Sequence, residues 1–479
     1  MNANLYAHFH AAFAADWNAP ALVDAAGAGL SFRELDMLSA RFAAMLRGRG
    51  VERGDRVVVQ VEKTVGAVAL YLACLRSGAI FVPLNTAYTA AEVDYFIEDA
   101  EPRLFVSVAD MAGPDAPLWA EALACEPEQD IATCGDDQIA AIVYTSGTTG
   151  RSKGAILSHG NLLSNAETLS RIWSFRPDDV LVHALPIFHV HGLFVALHTM
   201  FLNGSKTIFL PKFDVAQVIG LLPQATVLMG VPTFYTRLLG EASFNRDVVR
   251  TMRLFISGSA PLLAETHKAF EARTGMRILE RYGMTEAGMI TSNPLDGERV
   301  AGTVGMPLPG VDLRIVGEDG VPAASGQPGV IEIRGPNVFK GYWRNPGKMA
   351  EDIRPEGWFI TGDVATQDVD GRVTIVGRAK DLIISGGYNI YPKEIEEVID
   401  AVPGVIESAV IGVPHADFGE GVVAVIVGDA ALEPAVKAAI DENLARFKHP
   451  GQLVFVEDLP RNAMGKVQKA ALRQLYSGG

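Results

Sequence analysis

Cysteine is nearly missing from this chain: Cys74, Cys125 and Cys134 are the only three in 479 residues. None forms a CxxC pair, so no disulfide framework is expected, and a reducing cytoplasmic compartment is the natural setting. Positive charge is also in deficit. Lysine and arginine total 41 against 56 acidic residues, a formal net charge of −15, which excludes a broad basic face for nucleic acid or an anionic membrane. An anionic small molecule needs only a few local cations and is not excluded. The opening segment, MNANLYAHFHAAFAADWNAPAL, lacks a charged start ahead of a long apolar run, so no signal peptide is expected. The longest apolar stretches, such as Ile139–Tyr144, fall far short of the roughly 18 residues that span a bilayer.

What is present has the size and texture of an enzyme. A chain of 479 residues exceeds what one core usually serves, so two or more domains are expected. Ser31-Phe-Arg-Glu34 reads as a capping box, followed by apolar residues at helical spacing (Leu35, Leu38, Phe42, Met45). Short Val/Ile/Leu-rich strands are expected at Arg56–Val61, Ile80–Leu84, Arg103–Val106, Ile139–Tyr144, Val180–Leu185, Lys206–Leu210, Thr226–Val231 and Met252–Ser257. Helical runs separate them, which predicts parallel sheets covered on both faces. From about Gly302 to Val376, glycine and proline turns punctuate the strands VDLRIVGEDG, GVIEIRG and GRVTIVG, the pattern of an antiparallel β-subdomain. Beyond Gly377 the chain is again mixed, with helices expected at Pro392–Ala401 and Glu433–Arg446. A domain boundary is expected near Arg378–Asp381.

The strongest local feature is the run Thr145, Ser146, Gly147, Thr148, Thr149, Gly150, Arg151, Ser152, Lys153, Gly154. It follows an apolar strand and leads toward the polar helix start at Ser158. Three glycines free backbone amides to point inward, the hydroxyls offer donors, and Lys153 adds charge, so the run suits a polyphosphate. It lacks GxxxxGK[ST] and is not a Walker A loop.

This run resembles the phosphate-binding signature of the adenylate-forming superfamily of acyl-CoA synthetases, adenylation domains and luciferases. The resemblance continues in order along nearly the whole chain. Ser257 with Gly258, Ser259, Ala260 and Pro261 resembles the adenine-pocket segment. Tyr282, Gly283, Met284, Thr285 and Glu286 resemble the aromatic-to-glutamate motif. Thr361-Gly-Asp363 and Gly377-Arg378 resemble the ribose-binding pair, Ser385 with Gly386 and Gly387 the segment that reaches coenzyme A, and Pro460–Lys466 the C-terminal lysine motif. The resemblance implies an α/β fold: a large N-terminal domain, 1–378, of two α/β layers with a β-rich part at 302–376, and a small mobile α+β domain, 379–479. It also implies ATP, Mg²⁺ and CoA as cofactors and co-substrates.

Residue roles follow from that resemblance and from the chemistry. Activating a carboxylate means attack on the α-phosphorus of ATP, so catalysis rests on positioning and charge neutralisation. Lys466 is a mobile point charge for the reacting oxygens. Glu286 is a hard oxygen ligand suited to Mg²⁺, Thr285 a donor to the α-phosphate, Tyr282 a stacking surface for adenine, and Asp363 with Arg378 the ribose clamp. Lys380, in GRAKD, is the implied hinge about which the small domain turns between the two half-reactions. Gly387 leaves room for pantetheine beside the backbone.

The acyl pocket is expected within Ile139–Gly335. A fatty-acid channel would be dry and apolar, yet this stretch supplies His189 and His191 in LPIFHVHGLF, Arg237 in VPTFYTR and Arg281 in LERYGMTE. A buried anion must be paired, and arginine pairs carboxylates through two parallel hydrogen bonds. These cations point to a second substrate carboxylate, and the pattern resembles the malonyl-CoA synthetase branch, with malonate as the implied acid. The Glu101–Asp137 stretch is short and variable relative to that branch. Other short or medium-chain acids, including methylmalonate, remain alternatives, as does a carrier-loading protein that uses no free CoA, although no carrier domain follows Tyr476. The resemblance further suggests a lysine acetyltransferase acting on Lys466, with its deacetylase, and a homodimer.

Overall fold

The computed structural model describes residues 2–145, 152–317, 319–385, 388–415, 418–462 and 465–477. Its largest sheet has nine strands in the order Met306–Pro307, Gly288–Ser292, Leu279–Met284, Leu254–Ser257, Val227–Gly230, Val180–His183, Lys206–Phe209, Pro20–Val23 and Gly29–Ser31. The six central strands run parallel. Antiparallel strands close both ends. A second sheet orders Leu104–Val106, Arg56–Val59, Ile80–Pro83, Ile139–Thr145 and Lys153–Ser158. Its first four strands are parallel and the last antiparallel. The expected parallel α/β architecture is therefore present, with antiparallel strands added at its edges.

One of those edges adds a strand between the Gly/Ser/Thr run and the helix start at Ser158. That run does not lead straight into a helix. It joins Ile139–Thr145 to Lys153–Ser158 as a hairpin, with Thr145 paired to Lys153. Only then does Ser158 cap the His159–Ile172 helix through a box with Asn161.

The β-rich part is a four-stranded antiparallel sheet of Asp312–Val316, Gly329–Arg334, Phe359–Gln367 and Val373–Arg378. Its apolar face joins the main core, a single cluster reaching from Leu5 to Val373. The remaining residues build a separate small unit, in which Ile383–Ser385, Tyr388–Ile390, Glu407–His415, Gly419–Val427 and Gln452–Val456 form a five-stranded sheet. Helices Pro392–Asp400, Glu433–Asn443 and Lys469–Tyr476 cover it. Its apolar clusters, one around Ile395 and Ile440 and another around Ile411 and Leu472, contain no residue of the large unit. Among the described residues no helix is long and apolar enough to cross a membrane.

Local sequence explains the entry and exit of these elements. Ser31 Oγ accepts the Glu34 amide at 3.3 Å while the Glu34 carboxylate accepts the Ser31 amide at 2.8 Å, so the Phe32–Gly48 helix starts with its first donors satisfied. The Val65–Ser77 helix stops at Gly78, whose φ of +75° is a left-handed C-cap.

Candidate active site

The end of the Leu279–Met284 strand and the hairpin of Phe359–Gln367 and Val373–Arg378 meet at a cleft beside the small unit. In the hairpin, Asp363 lies opposite Arg378. Arg378 Nε donates to Asp363 Oδ1 at 2.9 Å, and the Tyr282 hydroxyl donates to Asp363 Oδ2 at 2.5 Å. Thr361 Oγ1 accepts the Asp363 amide at 3.1 Å and fixes the turn. Asp363 is buried and Arg378 exposed, so the pair presents a carboxylate edge with a cation at its rim. Burial and the nearby Asp363 carboxylate hold the Tyr282 phenol protonated, far above the ordinary tyrosine range.

Glu286 follows the Leu279–Met284 strand and is buried, with the Tyr342 hydroxyl 3.2 Å from its Oε1. Burial pushes its carboxyl upward. Lys153 leaves the antiparallel edge strand and stands 5.7 Å above the Tyr342 ring. Tyr342 therefore touches both the candidate metal carboxylate and the lysine of the Gly/Ser/Thr run; sequence reading overlooks it, although a tyrosine between Gly341 and Trp343 is a visible signal. Thr285 is half-buried beside Glu286. Among the described residues no group of three or more His, Cys, Asp or Glu side chains could cage a metal. A single carboxylate fits Mg²⁺, which is commonly held by one or two carboxylates plus substrate phosphates and water. Ser146, Gly147, Thr148, Thr149 and Gly150 lie outside the described residues, as do Gly386 and Gly387 of the candidate coenzyme A segment. Ser385 ends a strand paired with Tyr388 and Gly419.

Lys466 enters this cleft from the small unit. Its amide donates to Asn462 Oδ1 at 3.0 Å, and a Cβ placed on the neighbouring Gly465 would come 3.7 Å from Thr233 Oγ1 of the large unit. The lysine keeps solvent access. The surrounding protein first, then Arg378 and Arg281, nevertheless hold its ammonium below the ordinary range, against the opposing pull of Asp363 and Glu286. Lys380 sits exposed in the short Ala379–Asp381 turn after the last hairpin strand.

Behind these residues, Arg281 lies close to His189 and His191. Arg281 is 4% exposed, and its Nε and Nη2 have no hydrogen-bond partner. Burial pulls its guanidinium down to about 9. It packs so closely on Gly258 that a Cβ there would sit 2.3 Å from Arg281 Nη1. Ser259, strained at φ +71°, places its Oγ 3.2 Å from His191 Nδ1. Nε2 of His191 is buried without a partner. Burial, then Lys466 and Arg281, push His189 down to about 3; burial, then Arg281, hold His191 neutral as well. Ala260 and Pro261 continue the loop outward.

Arg237 does not join this cluster. The Pro232–Leu239 helix buries Phe234, Tyr235 and Leu238, which leaves Arg237 on the opposite, exposed face. There it lies near Arg461 and helps lower that guanidinium's affinity for its proton.

Comparison with known proteins places the chain in a family. Residues 9–343 match the AMP-binding enzyme family and residues 394–466 the AMP-binding enzyme C-terminal domain. The malonate–CoA ligase of Mus musculus is 36% identical over 510 residues, covering 94% of this chain and 87% of that protein. A feruloyl-CoA synthase from an Amycolatopsis species is 34% identical over 472 residues, covering 94% of each. ATP-bound MatB from Rhodopseudomonas palustris is 52% identical, with 100% of this chain and 99% of that chain covered at a TM-score of 0.96. Against the apo form of the same protein the TM-score is 0.85. With both domains matched in order over most of its length, the chain belongs to the AMP-binding enzyme family.

Proposed function

We propose that this enzyme ligates malonate to coenzyme A at the expense of ATP, through a malonyl-adenylate, yielding malonyl-CoA, AMP and pyrophosphate. The observation that carries the choice of acid is Arg281, a buried guanidinium with two unpartnered nitrogens in a chamber shared with His189 and His191. A monocarboxylate would leave that charge unpaired, whereas a second carboxylate satisfies it. The malonate–CoA ligases among its relatives support the same reading.

In the first half-reaction one malonate carboxylate attacks the α-phosphorus, and pyrophosphate leaves with the bonding electrons. Asp363 and Arg378 hold the ribose and Tyr282 flanks the adenine. Thr285 and Lys466 donate to the oxygens on which charge develops, while Thr145, the hydroxyls of Ser146, Thr148 and Thr149, and Lys153 serve the departing phosphates. Glu286 would hold Mg²⁺, which supplies neutralisation of phosphate charge when bound. Next, the coenzyme A thiol attacks the acyl carbon, loses its proton to solvent and displaces AMP. Lys466 must withdraw for this step. Residues 1–378 and 379–479 act as the two bodies, Lys380 as the pivot, and Ser385, Gly386 and Gly387 as the segment that guides the thiol. Acetylation of Lys466 by a lysine acetyltransferase would remove its charge and stop adenylation. Unpaired cysteines support a cytoplasmic setting.

Pyrophosphate release measured with malonate, methylmalonate, succinate, acetate, octanoate and ferulate, with and without CoA, tests the proposal. Malonate is expected to give the highest kcat/KM. A monocarboxylate that exceeds it, or turnover indifferent to CoA, refutes the assignment.

A further inference from the structure

Lys63 lies outside every motif above, in the turn after the Arg56–Val59 strand. Its ammonium nitrogen is 2.8 Å from Nδ1 of His183 and 2.9 Å from the His183 carbonyl oxygen, with the Phe209 ring 4.5 Å away. His183 ends the Val180–His183 strand of the other sheet, and its Nε2 stands 2.8 Å from the carbonyl oxygen of Gly192. Gly192 belongs to the first turn of a π-helix, His191–Leu197. Such turns concentrate at functional sites.

Donor and acceptor chemistry fixes the direction of this chain. A carbonyl only accepts, so His183 carries a proton on Nε2. Burial holds the ring neutral, which leaves Nδ1 as an acceptor and Lys63 as its donor. Gly192 is confined from the other side, because a Cβ there would sit 2.1 Å from the Pro186 carbonyl oxygen. The residue before it is His191, whose Nδ1 meets Ser259 and whose Nε2 is unpartnered beside Arg281. Burying an amine is costly unless its hydrogen bonds are worth having; an apolar residue would fill the space with less penalty.

We infer that Lys63 and His183 are positioning residues that hold the π-helical turn so that His191 faces the acyl chamber, and thereby set the enzyme's selectivity for a dicarboxylate. The inference rests on the malonate reading for its substrate. Lys63→Met removes the donor. His183→Gln keeps an amide donor for Gly192 and a carbonyl acceptor for Lys63, and His183→Met removes both. Lys63→Met and His183→Met should raise the malonate KM by about tenfold, the effect of one lost hydrogen bond, while the ATP KM and the propionate kcat/KM stay near wild type. His183→Gln should restore most of the malonate KM. An unchanged malonate-to-propionate ratio in Lys63→Met, or equal losses in the two His183 variants, overturns the inference. Wild-type enzyme labelled with ¹⁵N-histidine needs no variant and no acid: a proton on Nε2 of His183 supports the relay, and a proton on Nδ1 overturns it. A wild type that prefers propionate sinks the malonate reading in that arm alone, and the tautomer then decides the relay.

Discussion

Replacing Arg281 with methionine should make the substrate-free enzyme more stable and nearly abolish its use of malonate. The guanidinium is buried, its Nε and Nη2 are unpartnered, and burial pulls it from the ordinary arginine range down to about 9. At about 1.36 kcal/mol per pH unit, that difference costs the folded state roughly 5 kcal/mol. The depressed value means that the fold resists protonating the group. The cost is therefore complete below pH 9 or so and fades only as pH climbs toward the ordinary arginine range, so at neutral pH all of it is present. Methionine removes the charge but leaves some unfilled space, and an apolar replacement of this kind returns roughly 1–4 kcal/mol.

Activity moves the other way. Without Arg281 the distal carboxylate of malonate loses its guanidinium partner and meets the neutral imidazoles of His189 and His191. Breaking a buried charge pair costs about 3–5 kcal/mol, on the order of a few hundred-fold or more in kcat/KM. Propionate carries no distal charge and should lose far less. Thermal unfolding of the substrate-free protein and pyrophosphate release with both acids provide the measurements. An unchanged malonate-to-propionate ratio refutes the assignment of Arg281. A lower melting temperature refutes the claim that its guanidinium stands unpaired.

Three further variants probe the remaining machinery. Lys466→Ala should lose most adenylation yet keep thioester formation from preformed malonyl-adenylate; equal losses in the two assays would mean a structural or shared role. Lys380→Pro fixes φ in the Ala379–Asp381 turn, so the first half-reaction should survive and the second collapse, and normal overall turnover would remove Lys380 as the pivot. Tyr342→Phe takes the 3.2 Å hydrogen bond from Glu286 while leaving the ring under Lys153. It should shift the Mg²⁺ midpoint of pyrophosphate release about tenfold upward, the value of one bond to a charged group, and an unmoved midpoint would show that Tyr342 does not support the carboxylate.

What could be read from the sequence follows from how local each determinant is. The Ser31–Glu34 capping box and the Gly78 stop are settled within a few residues, and both are present. The β-rich texture after Gly302 likewise corresponds to a real antiparallel sheet. Lys153–Ser158 escaped because its strand is only six residues long and runs directly into the helix cap at Ser158, so polar residues at both ends masked an apolar middle. Arg237 was misplaced because proximity in sequence to VPTFY says nothing about which face of a helix a residue occupies; burial of Phe234, Tyr235 and Leu238 decides that. Lys63 and His183 carry no local signal at all. They are 120 residues apart and meet only because two separate sheets pack together.

The cleft's electrostatics lead to a final prediction, on pH. Lys466 must be protonated to neutralise the reacting oxygens, so adenylation should fall as pH rises through its pKa. In the substrate-free enzyme that pKa is depressed by the surrounding protein and by Arg378 and Arg281. A bound triphosphate and malonate bring negative charge to the same cleft and favour the ammonium. The alkaline limb of kcat/KM reports the free enzyme and that of kcat the complex, so the first should lie at lower pH than the second. Arg281, held at about 9, would add a limb of its own with malonate. Propionate does not need that guanidinium, and its profile isolates Lys466. In Lys466→Arg the propionate limb should move beyond the measurable range, since a guanidinium stays charged there. Coincident limbs for kcat and kcat/KM, or an unmoved limb in Lys466→Arg, would show that some other group governs the alkaline side.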